Sequence, residues 1–142
     1  MTTISYNYKD KEIAVDSRET AGDLIASDDA IKAEKISGEW YISAGCSNDC
    51  ELLTDCIING TKHDRDLDAN VMFTKDGKVF NSNYYAADGL TTWELKRNYT
   101  MGTGERFALA AMDFGKSASD AVKYAMTRDI YTGGKIRVIK VK

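Results

Sequence analysis

The sequence lacks proline, has one histidine and three cysteines, and contains no long apolar run. A membrane-spanning helix needs about 20 consecutive apolar residues, so none is expected. The polar N-terminus excludes a secretory signal peptide. The 19 basic and 22 acidic residues give a net charge of −3 and are interspersed, so no basic stripe indicates nucleic-acid binding. We therefore expect a cytoplasmic protein that binds neither membranes nor nucleic acids.

The three cysteines, Cys46, Cys50 and Cys56, fall within eleven residues. An odd number of cysteines in a chain without a signal peptide argues against a disulfide framework. Their spacing matches no zinc pattern, and the only histidine, His63, lies in a charged stretch. We expect no metal site and no cofactor. The cysteines are predicted to be small buried apolar side chains near the start of a helix.

A length of 142 residues, 43% hydrophobic and 29% charged, is typical of one globular domain, here residues 1–142. Apolar and polar residues alternate from Thr3 to Tyr8, which predicts a half-buried strand. Ile13 to Val15 is predicted to return antiparallel to it, so that Asp16 lies level with the chain start. Residues 17–29 are predicted to be irregular.

The remaining pattern predicts more strands, three helices and a charged loop at 61–68. Helices are predicted from a Ser47 or Asn48 cap to Gly60, over 105–114, and from a Ser117 cap through Met126. The remaining strands are predicted at 30–36, 39–44, 70–74, 78–81, 92–101 and 135–141. This order indicates an α+β protein in which two stacked antiparallel sheets lie between helices.

The chain start, Met1-Thr2-Thr3, offers a candidate nucleophile, Thr2. Thr2 is small, so the initiator methionine before it is expected to be removed. The freed α-amine, with a pKa of about 7.7–8.0, could then act as general base for the hydroxyl of Thr2. Many proteins begin with Met-Thr, so this feature alone does not identify an enzyme.

Several segments resemble proteasome β-subunits and related N-terminal nucleophile hydrolases, including the bacterial peptidase subunit that partners an ATP-dependent unfoldase. The segment after the family's second strand is similar to residues 16–22, DSRETAG, continued by 25–27, IAS. Lys32 falls on the family's active-site lysine. The resemblance covers about residues 2–50 and 99–142, in the same order and at compatible spacing.

The C-terminal part extends the resemblance. The family's turn into its third helix is similar to 102–104, GTG, followed by 107–110, FALA. The segment before its last strand is similar to 127–134, TRDIYTGG. The resemblance implies an N-terminal nucleophile hydrolase fold, a four-layer αββα sandwich. About ten residues separate the first helix from the next strand where relatives carry a second long helix, which implies a shortened first helical layer.

The resemblance also implies catalytic roles. Thr2 would be the nucleophile. Lys32 would lower the proton affinity of the hydroxyl and the α-amine of Thr2, and Asp16 would hold Lys32 charged and oriented. The Gly45 N–H would stabilise the oxyanion. The residues that would hold the N-terminal amine and a water are Thr103, Asp129 and Thr132. The family commonly has serine at the first and last of these, and threonine keeps the hydroxyl.

Substrate recognition is implied in the same way. The pocket walls would include Glu19, Ala30, Ser43, Ser47 and Glu51. Two acids in a polar pocket favour a basic side chain, so we expect cleavage after lysine or arginine rather than after large apolar residues.

The function implied is a minimal threonine endopeptidase that depends on Met1 removal, with peptides or unfolded proteins as substrates. Expected partners are further copies of the chain, as a ring or a dimer, and an ATP-dependent unfoldase. The small size suggests a bacterial or phage source. Two alternatives are a catalytically silent scaffold protein and an amidase acting on a small molecule. At the level of single features, Asp16 and Lys32 could form a surface ion pair, and Gly102-Thr103-Gly104 could bind phosphate.

Overall fold

The computed structural model describes residues 2–142 and divides the chain into two compact units. The first unit is formed by the chain up to Lys32 together with Lys96–Lys142, and the second by Ala33–Leu95. The strands of residues 2–142 are β1 (Thr3–Asn7), β2 (Glu12–Val15), β3 (Glu19–Ala21), β4 (Leu24–Ser27), β5 (Ala33–Ile36), β6 (Glu39–Gly45), β7 (Ala69–Lys75), β8 (Lys78–Tyr85), β9 (Gly89–Glu94), β10 (Tyr99–Gly102) and β11 (Arg137–Lys140). The helices are α1 (Ser47–Asn59), α2 (Glu105–Asp113) and α3 (Ala118–Met126). The predicted α+β class is confirmed.

The first unit is built on an antiparallel four-stranded sheet with the order β10-β1-β2-β11. Helices α2 and α3 pack on each other and on β1. Small side chains such as Ala108, Ala121 and Ala125 are fully buried there, which lets the two helices lie close to the sheet. The hydroxyl of Ser117 accepts a hydrogen bond from Asp120 N at 3.1 Å, so the predicted cap of α3 is confirmed.

Strand β1 is buried on both faces, so the prediction of a half-buried strand was wrong. Its polar residues Thr3 and Ser5 are as buried as Ile4 and Tyr6. An alternating pattern reports the polarity of a face and not its solvent exposure. The buried hydroxyl of Thr3 has a hydrogen-bond partner, because Thr3 Oγ lies 2.6 Å from Thr132 Oγ.

The segment predicted to be irregular contains a hairpin instead. Strands β3 and β4 pair antiparallel, and Gly22 takes the left-handed conformation with φ of +61° between them. Most residues of this hairpin are exposed, including Leu24 and Ile25. The sequence carries no burial pattern here because neither strand has a buried face, which is why periodicity did not reveal it.

The second unit is an antiparallel sheet with the order β5-β6-β7-β8-β9, on which α1 packs. The helix buries Leu53 and Cys56 against Val71 of the sheet. Gly60, with φ of +71°, ends α1 as predicted, and its N–H donates to Cys56 O at 2.9 Å. The loop from this glycine to β7 contains no helix, so the prediction of a single helix in this region is confirmed.

The start of α1 differs from the prediction. Cys46, and not Ser47 or Asn48, is the capping residue, and its side chain makes no capping hydrogen bond. The first turn is held by Asp49, which binds Arg65 at 2.7 Å and accepts from Asp68 N at 2.8 Å. These bonds lower the pKa of Asp49 to about 2, and the bond to Arg65 has the larger effect.

The cysteines follow the prediction in part. Cys50 and Cys56 are buried, whereas Cys46 is exposed. Cys46 precedes the first turn of α1, so it does not lie on the helix face that packs on the sheet. Burial raises the pKa of Cys50 to about 11, so this thiol stays protonated at neutral pH. Within residues 2–142, no group of three His, Cys, Asp or Glu side chains is arranged to bind a metal ion.

The predicted strand over 92–101 is two strands in different sheets. Strand β9 pairs with β8 in the second unit, and β10 pairs with β1 in the first. Apolar residues continue at alternate positions on both sides of the break, at Trp93, Leu95, Tyr99 and Met101, and this pattern does not show which sheet each strand joins. The stacking of the two sheets and the single domain stay predictions. None of the helices in residues 2–142 has the length and apolar character needed to cross a membrane.

Candidate active site

Three distant parts of the chain meet at one end of the strands of the four-stranded sheet. Strand β1 lies between β2 and β10, so the chain start, the end of β2 and the turn after β10 lie side by side. The N–H of Asp16 donates to Thr3 O at 3.3 Å, and the N–H of Thr103 donates to Thr2 O at 2.9 Å. The expectation that Asp16 lies level with the chain start is confirmed.

The carboxylate of Asp16 is fully buried and accepts hydrogen bonds at both oxygens. Oδ1 accepts from Thr2 Oγ at 2.7 Å, Lys32 Nζ at 2.8 Å and Thr3 N at 3.0 Å, and Oδ2 accepts from Gly133 N at 3.0 Å and Arg18 N at 3.4 Å. A buried carboxylate is stable only when such donors replace its water. Asp16 is therefore the hub that joins the chain start to the lysine.

Lys32 is largely buried, with 11% of its side chain exposed. Burial lowers the pKa of Lys32, and the adjacent Asp16 opposes that shift because it favours the charged ammonium. The alternative of a surface ion pair is wrong, since the acid is fully buried and the amine nearly so. Thr2 Oγ and Lys32 Nζ share one oxygen of Asp16, which brings a hydroxyl and a positive charge together.

A second buried carboxylate, Asp129, organises the hydroxyls on the other side of the chain start. Its Oδ2 accepts from Thr103 Oγ at 2.5 Å and from Thr132 Oγ at 2.6 Å. Because Thr132 gives its one hydrogen to this carboxylate, it must be the acceptor in its 2.6 Å bond with Thr3 Oγ. The hydrogen-bond chain from Thr3 to Asp129 therefore has a defined direction.

The glycines of the Gly102-Thr103-Gly104 turn allow the main chain to approach the chain start closely. A Cβ atom on Gly102, whose φ is +98°, would lie 1.8 Å from Thr2 O. A Cβ on Gly104 would lie 2.2 Å from Thr3 Oγ. The turn is thus filled by the chain's own N-terminal residues, which removes the need for a phosphate to explain these glycines.

Sequence reasoning assigned no role to several residues that complete this network. Gly133 donates its N–H to Asp16, and a Cβ there would lie 2.4 Å from Arg18 Cζ. The Arg18 guanidinium binds Asp28 at 2.8 and 3.1 Å and donates to Ile130 O at 3.0 Å. Both Arg18 and Gly133 lie inside the quoted segments DSRETAG and TRDIYTGG, so the signal was present, but the partners are far apart in sequence.

Gly45, the predicted oxyanion donor, lies in the second unit at the end of β6 and is exposed. A Cβ on it would lie 2.4 Å from Asp68 O, and its φ of +131° favours glycine. The local backbone therefore requires glycine here, and the catalytic role of its N–H stays a prediction.

The five predicted pocket residues are distributed over both units. Glu19 and Ala30 belong to the first unit. Ser43, Ser47 and Glu51 belong to the second, around the end of β6 and the start of α1. Glu19, Ser47 and Glu51 are exposed, and Ala30 and Ser43 are partly buried. That these five form one pocket stays a prediction.

The structure is similar to several solved proteins over almost its whole length. One is the eukaryotic HslV from Trypanosoma brucei, with a TM-score of 0.76 and 19% identity over 97% of this chain and 98% of that chain. Another is BPH from Thiobacillus denitrificans in complex with epoxomicin, with a TM-score of 0.75 and 18% identity over 99% and 100% of the two chains. A second BPH structure has a TM-score of 0.70 and 17% identity, over 99% of each chain.

The chain has the proteasome-type fold. The resemblance seen in the sequence is thereby confirmed at the level of the fold. The sequence matches no protein-family model and no curated protein. At 17–19% identity the likeness concerns the fold, so the chemistry of this proteasome-type chain has to be argued from its own residues.

The first unit of this proteasome-type chain brings together six of the seven predicted catalytic residues. They are linked directly or through Thr3 and Gly133 by the bonds described above: Thr2, Asp16, Lys32, Thr103, Asp129 and Thr132. The prediction that Met1 is removed lies outside the described residues.

Proposed function

We propose that this protein is a threonine peptidase that hydrolyses peptide bonds through an acyl-enzyme on Thr2. The observation that carries the proposal is the shared oxygen of Asp16, which accepts from both Thr2 Oγ and Lys32 Nζ. A threonine hydroxyl is activated as a nucleophile by a base that takes its proton, and a nearby positive charge helps because it lowers the proton affinity of the oxygen. The arrangement supplies the positive charge, and removal of Met1 would supply the base.

In the proposed reaction, the α-amine freed by Met1 removal takes the proton of Thr2 Oγ while Oγ attacks the scissile carbonyl carbon. The carbonyl oxygen becomes an oxyanion and is stabilised by the Gly45 N–H. The protonated amine then gives its proton to the departing amine of the substrate, and the C–N bond breaks. This leaves an ester on Thr2 and releases the first product. Water, deprotonated by the same amine, hydrolyses the ester and restores the hydroxyl.

The remaining residues of the site position the nucleophile in this proposal. Thr103 N donates to Thr2 O at 2.9 Å, which limits rotation of the first peptide unit. Asp129 and Thr132 hold Thr103 and Thr3 on either side of it. Asp16 orients Lys32, whose charge favours the alkoxide that develops on Thr2. We further propose, from the resemblance, that copies of this chain assemble and receive unfolded protein from an ATP-dependent unfoldase.

The proposal is tested by intact mass spectrometry after treatment with epoxomicin, the compound bound to BPH in the similar structure. A peptide epoxyketone reacts with both a threonine hydroxyl and a free α-amine. We expect the chain lacking Met1 to gain the mass of one inhibitor, and Thr2→Ala to gain none. Thr3→Ala is the matched control. It should still react, because the hydroxyl that it removes is bonded to Thr132 and leaves the hydroxyl of Thr2 in place.

A chain that lacks Met1 and stays unmodified by epoxomicin and by other epoxyketone peptides would contradict the proposal and favour the scaffold alternative. Cleavage of small amides with no cleavage of peptides would favour the amidase alternative. If Met1 is retained after expression, a methionine aminopeptidase is used to remove it before the inhibitor is added.

The specificity proposal concerns the side chain on the acyl side of the cleaved bond. We propose that Glu19 and Glu51 bind a basic side chain there, so arginine-terminated fluorogenic peptides should be cleaved faster than leucine- or phenylalanine-terminated ones. Both acids are exposed, so the preference should weaken as salt screens them. We expect kcat/KM for the arginine peptides to exceed kcat/KM for the leucine or phenylalanine peptides by roughly tenfold, and this ratio to fall in Glu51→Gln. Faster cleavage of the leucine or phenylalanine peptides would overturn it.

A further inference from the structure

Arg137 on β11 binds three groups at the edge of the first unit. Its NH1 donates to Ala30 O at 2.6 Å and to Ser17 Oγ at 2.8 Å, and its NH2 donates to Asp29 Oδ1 at 3.0 Å. The sheet register places Arg137 opposite Val15, the residue before Asp16. The guanidinium therefore spans from the end of β2 to the segment that leads to Lys32.

The segment held by Arg137 has no strand or helix of its own. It runs from Asp28 to Lys32, between β4 and β5. Ala30 N donates to Ser17 O at 2.9 Å, and Arg137 holds the carbonyl of the same residue. Ser17 Oγ in turn donates to Lys135 O, so the serine is itself held by the chain before β11. Both backbone polar groups of Ala30 are thus bound, two residues before Lys32.

We propose that Arg137 is a positioning residue for the proposed peptidase reaction, acting through the Ala30 carbonyl to hold Lys32 on Asp16. The proposal rests on the proposed function, which assigns the charge of Lys32 a catalytic role. Lys32 sits at the end of an irregular segment, and four flexible side-chain bonds separate its backbone from its amine. Fixing the backbone two residues earlier reduces the freedom that the ammonium must lose to reach Asp16.

An arginine suits this task better than a lysine. A planar fork can bind a carbonyl, a hydroxyl and a carboxylate at once, whereas an ammonium is a single point with less defined geometry. The three contacts differ in their surroundings. Asp29 is 75% exposed, so that ion pair adds little. The bonds to Ala30 O and Ser17 Oγ are partly buried, and they are the ones expected to matter.

The test measures the ammonium group of Lys32 directly by ¹H–¹⁵N NMR. Ammonium protons that are exposed to water exchange too fast to be seen, whereas the buried, hydrogen-bonded ammonium of Lys32 should give a signal, identified by its absence in Lys32→Arg. We expect Arg137→Ala to lose or broaden this signal while the protein stays folded. In the chain lacking Met1, kcat should fall by on the order of tenfold or more, with KM changed by less than about twofold.

Asp29→Ala is the matched control, because it removes only the exposed ion pair; it should keep both the signal and kcat. If Arg137→Ala does not fold, the same criteria apply to Arg137→Lys, which keeps the charge but not the fork. A retained Lys32 signal, or a lost signal with unchanged kcat, would overturn the proposal, as would an equal effect of Asp29→Ala. If Arg137→Ala loses the Lys32 signal but the wild type cleaves no peptide, the positioning of Lys32 by Arg137 stands. That result overturns only the proposed peptidase function.

Discussion

Lys32→Met is expected to lower kcat for peptide hydrolysis by on the order of a thousandfold, with little change in KM. Methionine fills a similar volume but carries no charge, so Thr2 Oγ keeps its bond to Asp16 and loses the adjacent ammonium. The hydroxyl then gives up its proton less readily. The measurement is steady-state cleavage of a fluorogenic peptide by the chain lacking Met1, with Lys62→Met, an exposed loop lysine, as control.

A pH dependence that Lys32→Met should lack is expected of the wild type. Burial lowers the pKa of Lys32 from its ordinary value, so its charge is lost at a lower pH than that of an exposed lysine. As the pH is raised, activity should therefore be lost at a pH lower than the usual lysine pKa of about 10.4. In this window the unfolded chain binds more protons than the folded one, so the free energy of unfolding of the wild type should rise with pH relative to Lys32→Met. An alkaline limb that is the same in Lys32→Arg would contradict this assignment.

Asp16→Ala is expected to lower the free energy of unfolding by roughly 3–5 kcal/mol at neutral pH, because it leaves a buried ammonium without its partner. The substitution also leaves Thr3 N and Gly133 N without their acceptor. Chemical denaturation followed by circular dichroism measures the effect. Asp28→Ala is the matched control: it removes an acid from an ion pair whose acid is 46% exposed, and it should lower the free energy of unfolding much less than Asp16→Ala does.

A double-mutant cycle separates the two causes of the Asp16 effect. Combining Asp16→Ala with Lys32→Met removes the stranded charge, so the double variant should be more stable than Asp16→Ala alone. The stability that is not recovered reports the unpaired N–H groups and the lost packing. A double variant no more stable than Asp16→Ala, or an Asp16→Ala protein as stable as the Asp28→Ala control, would contradict the hub role of this carboxylate.

Local chemistry explains which elements were predictable. The cap of α3 at Ser117 and the end of α1 at Gly60 were predicted because each depends on residues within one helical turn. The hairpin of β3 and β4 was missed because its strands are exposed on both sides. The break between β9 and β10 was missed because two neighbouring strands joined different sheets, which depends on contacts far from the break.

The sequence by itself determined the candidate residues and their types: a threonine at the chain start, an acid after the second strand, a lysine sixteen residues later, and the segments GTG and TRDIYTGG. Only the tertiary structure decided how they are connected. Residues more than 100 positions apart, such as Asp16 and Gly133, or Thr2 and Thr103, meet because β1 pairs with both β2 and β10 while β2 pairs with β11. Sheet register, which no single segment encodes, set these distances and therefore the geometry of the candidate site.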